Sequence, residues 1–141
     1  MKAAEQGDAV GQRMVGIFIE HKLLCSLHLE EMYLSHAEKN QEESALKWYR
    51  LAANQGDSEA QRLLGVCYEC GNGVPQDYVE AAKWYRLSAE QGNIYGLKRL
   101  ADCYRYGHGV KESHTEAIKL YSKAAAQGDD YAKCQLKALE L

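Results

Sequence analysis

Three glycines, Gly56, Gly92 and Gly128, stand 36 residues apart, and each follows a glutamine, in the runs NQGD, EQGN and AQGD. A fixed period of this length is the signature of stacked repeats, in which each unit is one supersecondary element that buries its apolar face only against its neighbours. The register reaches well beyond the Gln-Gly pair. Trp48 and Trp84 share it with Leu120, and Tyr49, Tyr85 and Tyr121 follow one position later; Tyr68 matches Tyr104, Gly71 matches Gly107, Gly73 matches Gly109 and Val74 matches Val110.

Local chemistry identifies the unit. From Asp57 onward, Ala60, Leu64, Cys67 and Tyr68 recur at helical spacing on one face, and Asp57 suits the N-cap of that helix, here called the A-helix. Gly71 and Gly73 supply the turn, and Pro75 prevents the helix from running on. A second helix, the B-helix, starts at the Asp77 cap, carries Ala81, Trp84, Tyr85 and Ser88, and ends at Gly92. DYVE and SHTE place a glutamate three residues after each cap, as a capping box does. Each unit therefore reads as an αα-hairpin. Gly65 and Ala101 occupy one register inside their A-helices, where glycine costs about 1 kcal/mol relative to alanine. Close approach of a large B-helix aromatic, Trp84 or Tyr85, accounts for that cost.

Composition agrees with an all-α chain. Proline occurs once among 141 residues, and strand-preferring residues do not alternate. With 46% hydrophobic and 26% charged residues and a formal charge of −3, the chain is neither a disordered tail nor a basic nucleic-acid binder. No stretch is apolar for the length of a membrane span, and the first residues show no apolar signal core. The five cysteines, Cys25, Cys67, Cys70, Cys103 and Cys134, are odd in number and do not form a small secreted framework. They favour free thiols in a reducing, cytoplasmic setting; the alternative is an exported or periplasmic protein whose signal is absent from this chain.

The N-terminal part breaks the pattern. Gly7 lies 49 residues before Gly56, 13 more than one period. Reading back from Trp48 without gaps puts KLLCSLHLEEMYL on the A-helix, with Leu29 at the glycine position and Met32 at the tyrosine position. SHAEKNQ then stands where the later unit has GNGVPQD. Two A-like segments, about 8–20 and 22–34, thus abut, and the expectation is one long helix, the alternative being a bend near His21. The apolar run through Ile17, Phe18, Ile19, Leu23, Leu24, Leu27, Leu29, Met32 and Tyr33 covers more than one face, which implies burial on two sides or an exposed adhesive surface.

The skeleton carried by Ala60, Leu64, Gly65, Tyr68, Gly71, Gly73, Val74, Asp77, Ala81, Trp84, Tyr85, Ala89 and Gly92 resembles the Sel-one-like repeat family, a longer-turn relative of the tetratricopeptide repeat. Tyr104, Gly107, Gly109, Tyr121 and Gly128 continue the same structural register. The resemblance implies an all-α, right-handed αα-hairpin superhelix that acts as an adaptor for protein complexes, without catalysis or cofactor, often bacterial and engaged in signalling or host contact. It also implies that the A-helices line the concave side. The chain is expected to be one solenoid domain: an irregular unit over 1–56, repeats over 57–92 and 93–128, and a capping helix over 129–141.

Positions that the repeat leaves free are the candidates for function. On the A-helices these are Arg62, Val66 and Glu69, then Lys98, Asp102 and Arg105, a mixed but net-positive strip with Tyr106 beside it as an aromatic anchor. The expected partner is a protein or peptide, not nucleic acid; the plainer alternative is an ordinary solvated face. Other chemistries are weaker. Cys67 and Cys70 form a lone C-x-x-C without the second pair that structural zinc needs, so small buried residues explain Cys67 and its repeat equivalent Cys103. His21, Cys25 and His28 fall on one helical face as a metal set would, against a half-buried helix as the plainer account; no metal is expected. His108 sits where Asn72 sits and reads as a turn residue. A thiol- or metal-dependent protein using Cys67 and Cys70, or a homo-oligomer assembled through the N-terminal segment, are the alternatives to an adaptor.

Overall fold

The computed structural model describes residues 9–26 and 34–140, with side chains described for 9–17 and 44–140. Among these residues every regular element is a helix: α1 (Ala9–Ser26), α2 (Leu34–Asn54), α3 (Ser58–Cys70), α4 (Tyr78–Glu90), α5 (Ile94–Tyr106), α6 (His114–Ala126) and α7 (Asp130–Glu140). Each helix packs on the next, and α3 also touches α5, so consecutive αα-hairpins stack into an all-α repeat superhelix. No helix among the described residues is long and apolar enough to cross a membrane.

The two regular units are built alike, down to their hydrogen bonds. Gly71 and Gly107 stop the A-helices in the left-handed conformation, at φ 75° and 68°, donating their N–H groups to the carbonyls of Cys67 and Cys103. The side chain of Asp77 accepts from the N–H groups of Val79 and Glu80, and Ser113 accepts from Glu116. The N–H groups of the caps are not returned to the glutamates, as a full capping box would have it. That of Asp77 donates instead to the carbonyl of Tyr68 at 2.8 Å, and that of Ser113 to the carbonyl of Tyr104 at 2.8 Å, which ties each B-helix to the A-helix before it. Glu80 and Glu116, released from capping, pair with Lys83 and Lys119 one turn on.

The core is a column of tyrosines and small residues. Tyr49, Tyr85 and Tyr121 are fully buried, surrounded by Ala52, Ala60, Leu64, Ala81, Leu97, Ala101 and Ala117. The aromatic that covers Gly65 is Tyr85: a β-carbon on Gly65 would meet its ring at 2.6 Å. Trp84 lies beside it, half-buried, against the core between α2 and α3.

The first unit has a different register from that given by the ungapped reading. Gly16 faces the ring of Tyr49 as Gly65 faces Tyr85, and a β-carbon on Gly16 would lie 2.5 Å from that ring. Gln55 donates to Gln12 at 2.7 Å as Gln91 donates to Gln61 at 2.8 Å. The A-helix partner of α2 is therefore α1, and the glycine position belongs to Gly16; Leu29 and Met32 lie outside the described residues. The extra residues lengthen both helices of the hairpin: α1 has 18 residues and α2 has 21, against 13 in each of α3 to α6. Lys22 stands where Gly71 ends α3, and SHAEKNQ, having neither the turn glycines nor the proline, is helical. Helix α1 runs through His21 to Ser26, and residues 27–33 of the expected single helix lie outside the described residues. Of the apolar run, the described side chain is Ile17, half-buried against the core, while Val10 and Met14 are exposed.

Candidate functional site

The side chains singled out on the A-helices are largely engaged with one another. Arg62 pairs with Glu59 one turn back on α3 and lies over the ring of Tyr95 at 5.0 Å. Glu69 accepts the hydroxyl of Tyr85, and Val66 packs at the edge of the core. Lys98 pairs with Asp129 at 3.0 Å and sits between the rings of Tyr95 and Tyr131, 4.6 and 5.5 Å from their centroids. Asp102 accepts the hydroxyls of Tyr121 and Tyr131, and Arg105 donates to Gln135 while lying over Tyr106 at 5.3 Å.

These contacts form a ladder between units. Asp57 and Asp129 each cap the A-helix of one unit, and each is held by a cation from the A-helix before it: Arg13 reaches Asp57 at 3.1 Å, and Lys98 reaches Asp129. Between them the cap is Asn93, which has no charge for Arg62 to pair with; Asn93 donates to Glu59 at 3.1 Å, and Arg62 takes the same carboxylate. Burial works to raise the pKa of Asp129, but the N–H of Ala132 and the Lys98 ammonium outweigh it and hold the carboxyl below its usual range. Tyr85 and Tyr121 are pushed far the other way by burial and by the carboxylates of Glu69 and Asp102, so both remain neutral donors.

What the ladder leaves exposed is aromatic. Tyr95, Tyr106 and Tyr131 are 55%, 56% and 44% exposed. Tyr95 and Tyr131 wall an open depression of about 270 Å³ whose polar lining is Lys98, Arg99 and Asp102. Sequence reasoning singled out Tyr106 and passed over Tyr95 and Tyr131, although the two are 36 residues apart and so share one register position. His108 stacks on Tyr78 at 4.7 Å and tilts toward Tyr106 at 5.8 Å, a turn residue that also bridges two units.

The cysteines divide by position. Cys67 and Cys103 are buried, whereas Cys70 and Cys134 are exposed. Burial, reinforced by Glu69 and Asp102, pushes the Cys103 thiol up to about 12, which leaves almost no thiolate at neutral pH. Among the described residues no group of three or more His, Cys, Asp or Glu is placed to hold a metal ion; the side chains of His21, Cys25 and His28 are outside them. Alkylation of the native protein at neutral pH, mapped by mass spectrometry, is expected to modify Cys70 and Cys134 and to spare Cys103 until the chain unfolds. Equal labelling of Cys103 would contradict the buried placement.

Known proteins share this geometry. The family model described as Sel1 repeat matches residues 32–57, 58–93 and 94–129. Among solved structures, the chain is similar to c5321, a protective antigen of uropathogenic Escherichia coli displaying an SLR fold, with 36% identity and a TM-score of 0.79 over 95% of this chain and 26% of that one. It is also similar to a Sel1 repeat protein from Oxalobacter formigenes, with 31% identity and a TM-score of 0.76 over 93% of this chain and 49% of that one. Cysteine-rich protein B of Helicobacter pylori shares the fold at 24% identity and a TM-score of 0.65, over 86% of this chain and 97% of that one. The chain thus spans about a quarter of the first of these proteins and half of the second. A comparison with curated proteins gives no significant match.

Proposed function

The chain belongs to the Sel1 repeat family, whose members are generally protein–protein interaction modules, and from that premise we propose that it is a non-enzymatic scaffold that binds a peptide or protein along its A-helix face. The observation that carries the reading is the set of exposed tyrosines on successive A-helices, Tyr95 and Tyr106 on α5 and Tyr131 on α7. Tyrosine offers a large rigid apolar surface with a polar tip, and it is enriched where partners dock. The cations Arg62, Lys98 and Arg105 lie against these rings, fixing their orientation before a partner arrives. A preoriented ring loses little rotamer entropy on binding, which favours affinity. Val66, Glu69 and Asp102 act from beneath, packing the helix edge and anchoring the Tyr85, Tyr121 and Tyr131 hydroxyls.

Selection from a displayed peptide library, followed by affinity measurement on the best binders, tests the reading. The double variant Tyr95→Ala, Tyr106→Ala is expected to weaken binding by roughly tenfold or more, as loss of an aromatic anchor does. Lys119→Ala, exposed on a B-helix, is expected to leave affinity unchanged. Binders that respond equally to both variants would place the interaction elsewhere and refute the proposal.

A further inference from the structure

The repeat supplies its own reference for a second surface. Leu120 occupies the register position that holds Trp84 in the unit before. Trp84 packs its indole against the core formed by α2 and α3, whereas Leu120, a smaller side chain, packs against the core formed by α4 and α5. Beside Leu120 the structure has a groove of about 190 Å³ between α4, α5 and α6, with the buried side chains of Leu97 and Leu100 at its floor. That volume is below the size of a pocket for a drug-sized molecule and suits a single side chain.

We propose that this groove is a docking site for a tryptophan side chain presented by a partner protein. The floor is apolar, and the space lies where the repeat elsewhere places an indole of its own. The rim sets the charge that the groove accepts: in formal charge Arg86 and Lys123 balance Glu90 and Glu116, so the lining has no net charge and complements a neutral ring rather than a carboxylate or an ammonium. The site lies between B-helices and one A-helix, away from Tyr95 and Tyr131, and does not depend on the A-helix face being a binding surface.

Titration of the isotope-labelled chain with N-acetyl-tryptophan amide, followed by amide chemical shifts, tests the proposal. Saturable shifts are expected at Leu97, Leu100 and Leu120. N-acetyl-leucine amide should bind about fivefold more weakly, and the corresponding glutamate and lysine amides should produce no saturable shift. Leu120→Trp is expected to abolish the shifts and to raise the melting temperature, because the introduced indole fills the groove. Absence of saturation with the tryptophan probe, or shifts gathered on Tyr95 and Tyr131 instead, would overturn the proposal using the unaltered chain alone. A Leu120→Trp chain that melts lower, or still shows the same shifts, would overturn it as well.

Discussion

Gly65→Leu is expected to destabilise the chain by about 3 kcal/mol or more, at the upper end of what overpacking costs. The β-carbon alone would lie 2.6 Å from the Tyr85 ring, and leucine adds three further carbons to it. The ring cannot move aside cheaply. Tyr85 is fully buried, and its hydroxyl donates to Glu69, so displacing the ring also strands a carboxylate partner. Gly92→Ala is the comparison: φ is +80°, but nothing lies within 4 Å of its β-carbon, so only the left-handed penalty of roughly 1–2 kcal/mol applies. Thermal and urea unfolding measure both. A loss for Gly65→Leu no larger than that for Gly92→Ala would mean that the ring yields and that close packing does not explain this glycine.

The glycine was legible because cost and period coincide: a residue that weakens a helix, yet falls in a repeating frame, must be making room for something. The same logic identified the turns, the N-caps and the family. It could not choose between Trp84 and Tyr85 as the covering aromatic, since neighbouring residues on a helix point in directions that only the hairpin geometry resolves. In the first unit the ungapped frame from Trp48 misled. The 13 additional residues extend two helices within the hairpin instead of forming a separate loop, so helical periodicity continues through the insertion and gives no sign of its position. Gln12, Arg13 and Gly16 did carry the sign, as a faithful copy of Gln61, Arg62 and Gly65. On the A-helix face, variation between repeats picked out a strip of side chains but gave no sign of how they pair. Arg13 with Asp57 and Lys98 with Asp129 join residues of adjacent units, and a pattern read one unit at a time does not reveal pairs that form between units.

Gly109→Ala is expected to be at least as damaging as Gly65→Leu, and to act on the junction between units rather than inside one. At φ +74° an alanine carries the left-handed penalty, and its β-carbon would lie 2.1 Å from the carbonyl oxygen of Tyr78 and 2.7 Å from the N of Val79. Those are backbone atoms in the first turn of α4, held by the Asp77 cap, and no rotamer change removes them. The turn carrying His108 would have to separate from α4, and with it the stacking of His108 on Tyr78. Gly107→Ala isolates this effect. It has nearly the same φ, +68°, yet its β-carbon meets nothing closer than 3.4 Å, so it is expected to cost roughly 1–2 kcal/mol. Gly109→Ala should cost about 3 kcal/mol or more in total, with the clash added to the strain. In a stacked array each unit is stabilised by its neighbour, so hydrogen exchange in Gly109→Ala should quicken first in α6 and α7, while α3 retains its protection longest. Equal losses for the two alanine variants, or exchange that quickens uniformly along the array, would show that the Gly109 contact with Tyr78 does not govern the stacking of the units.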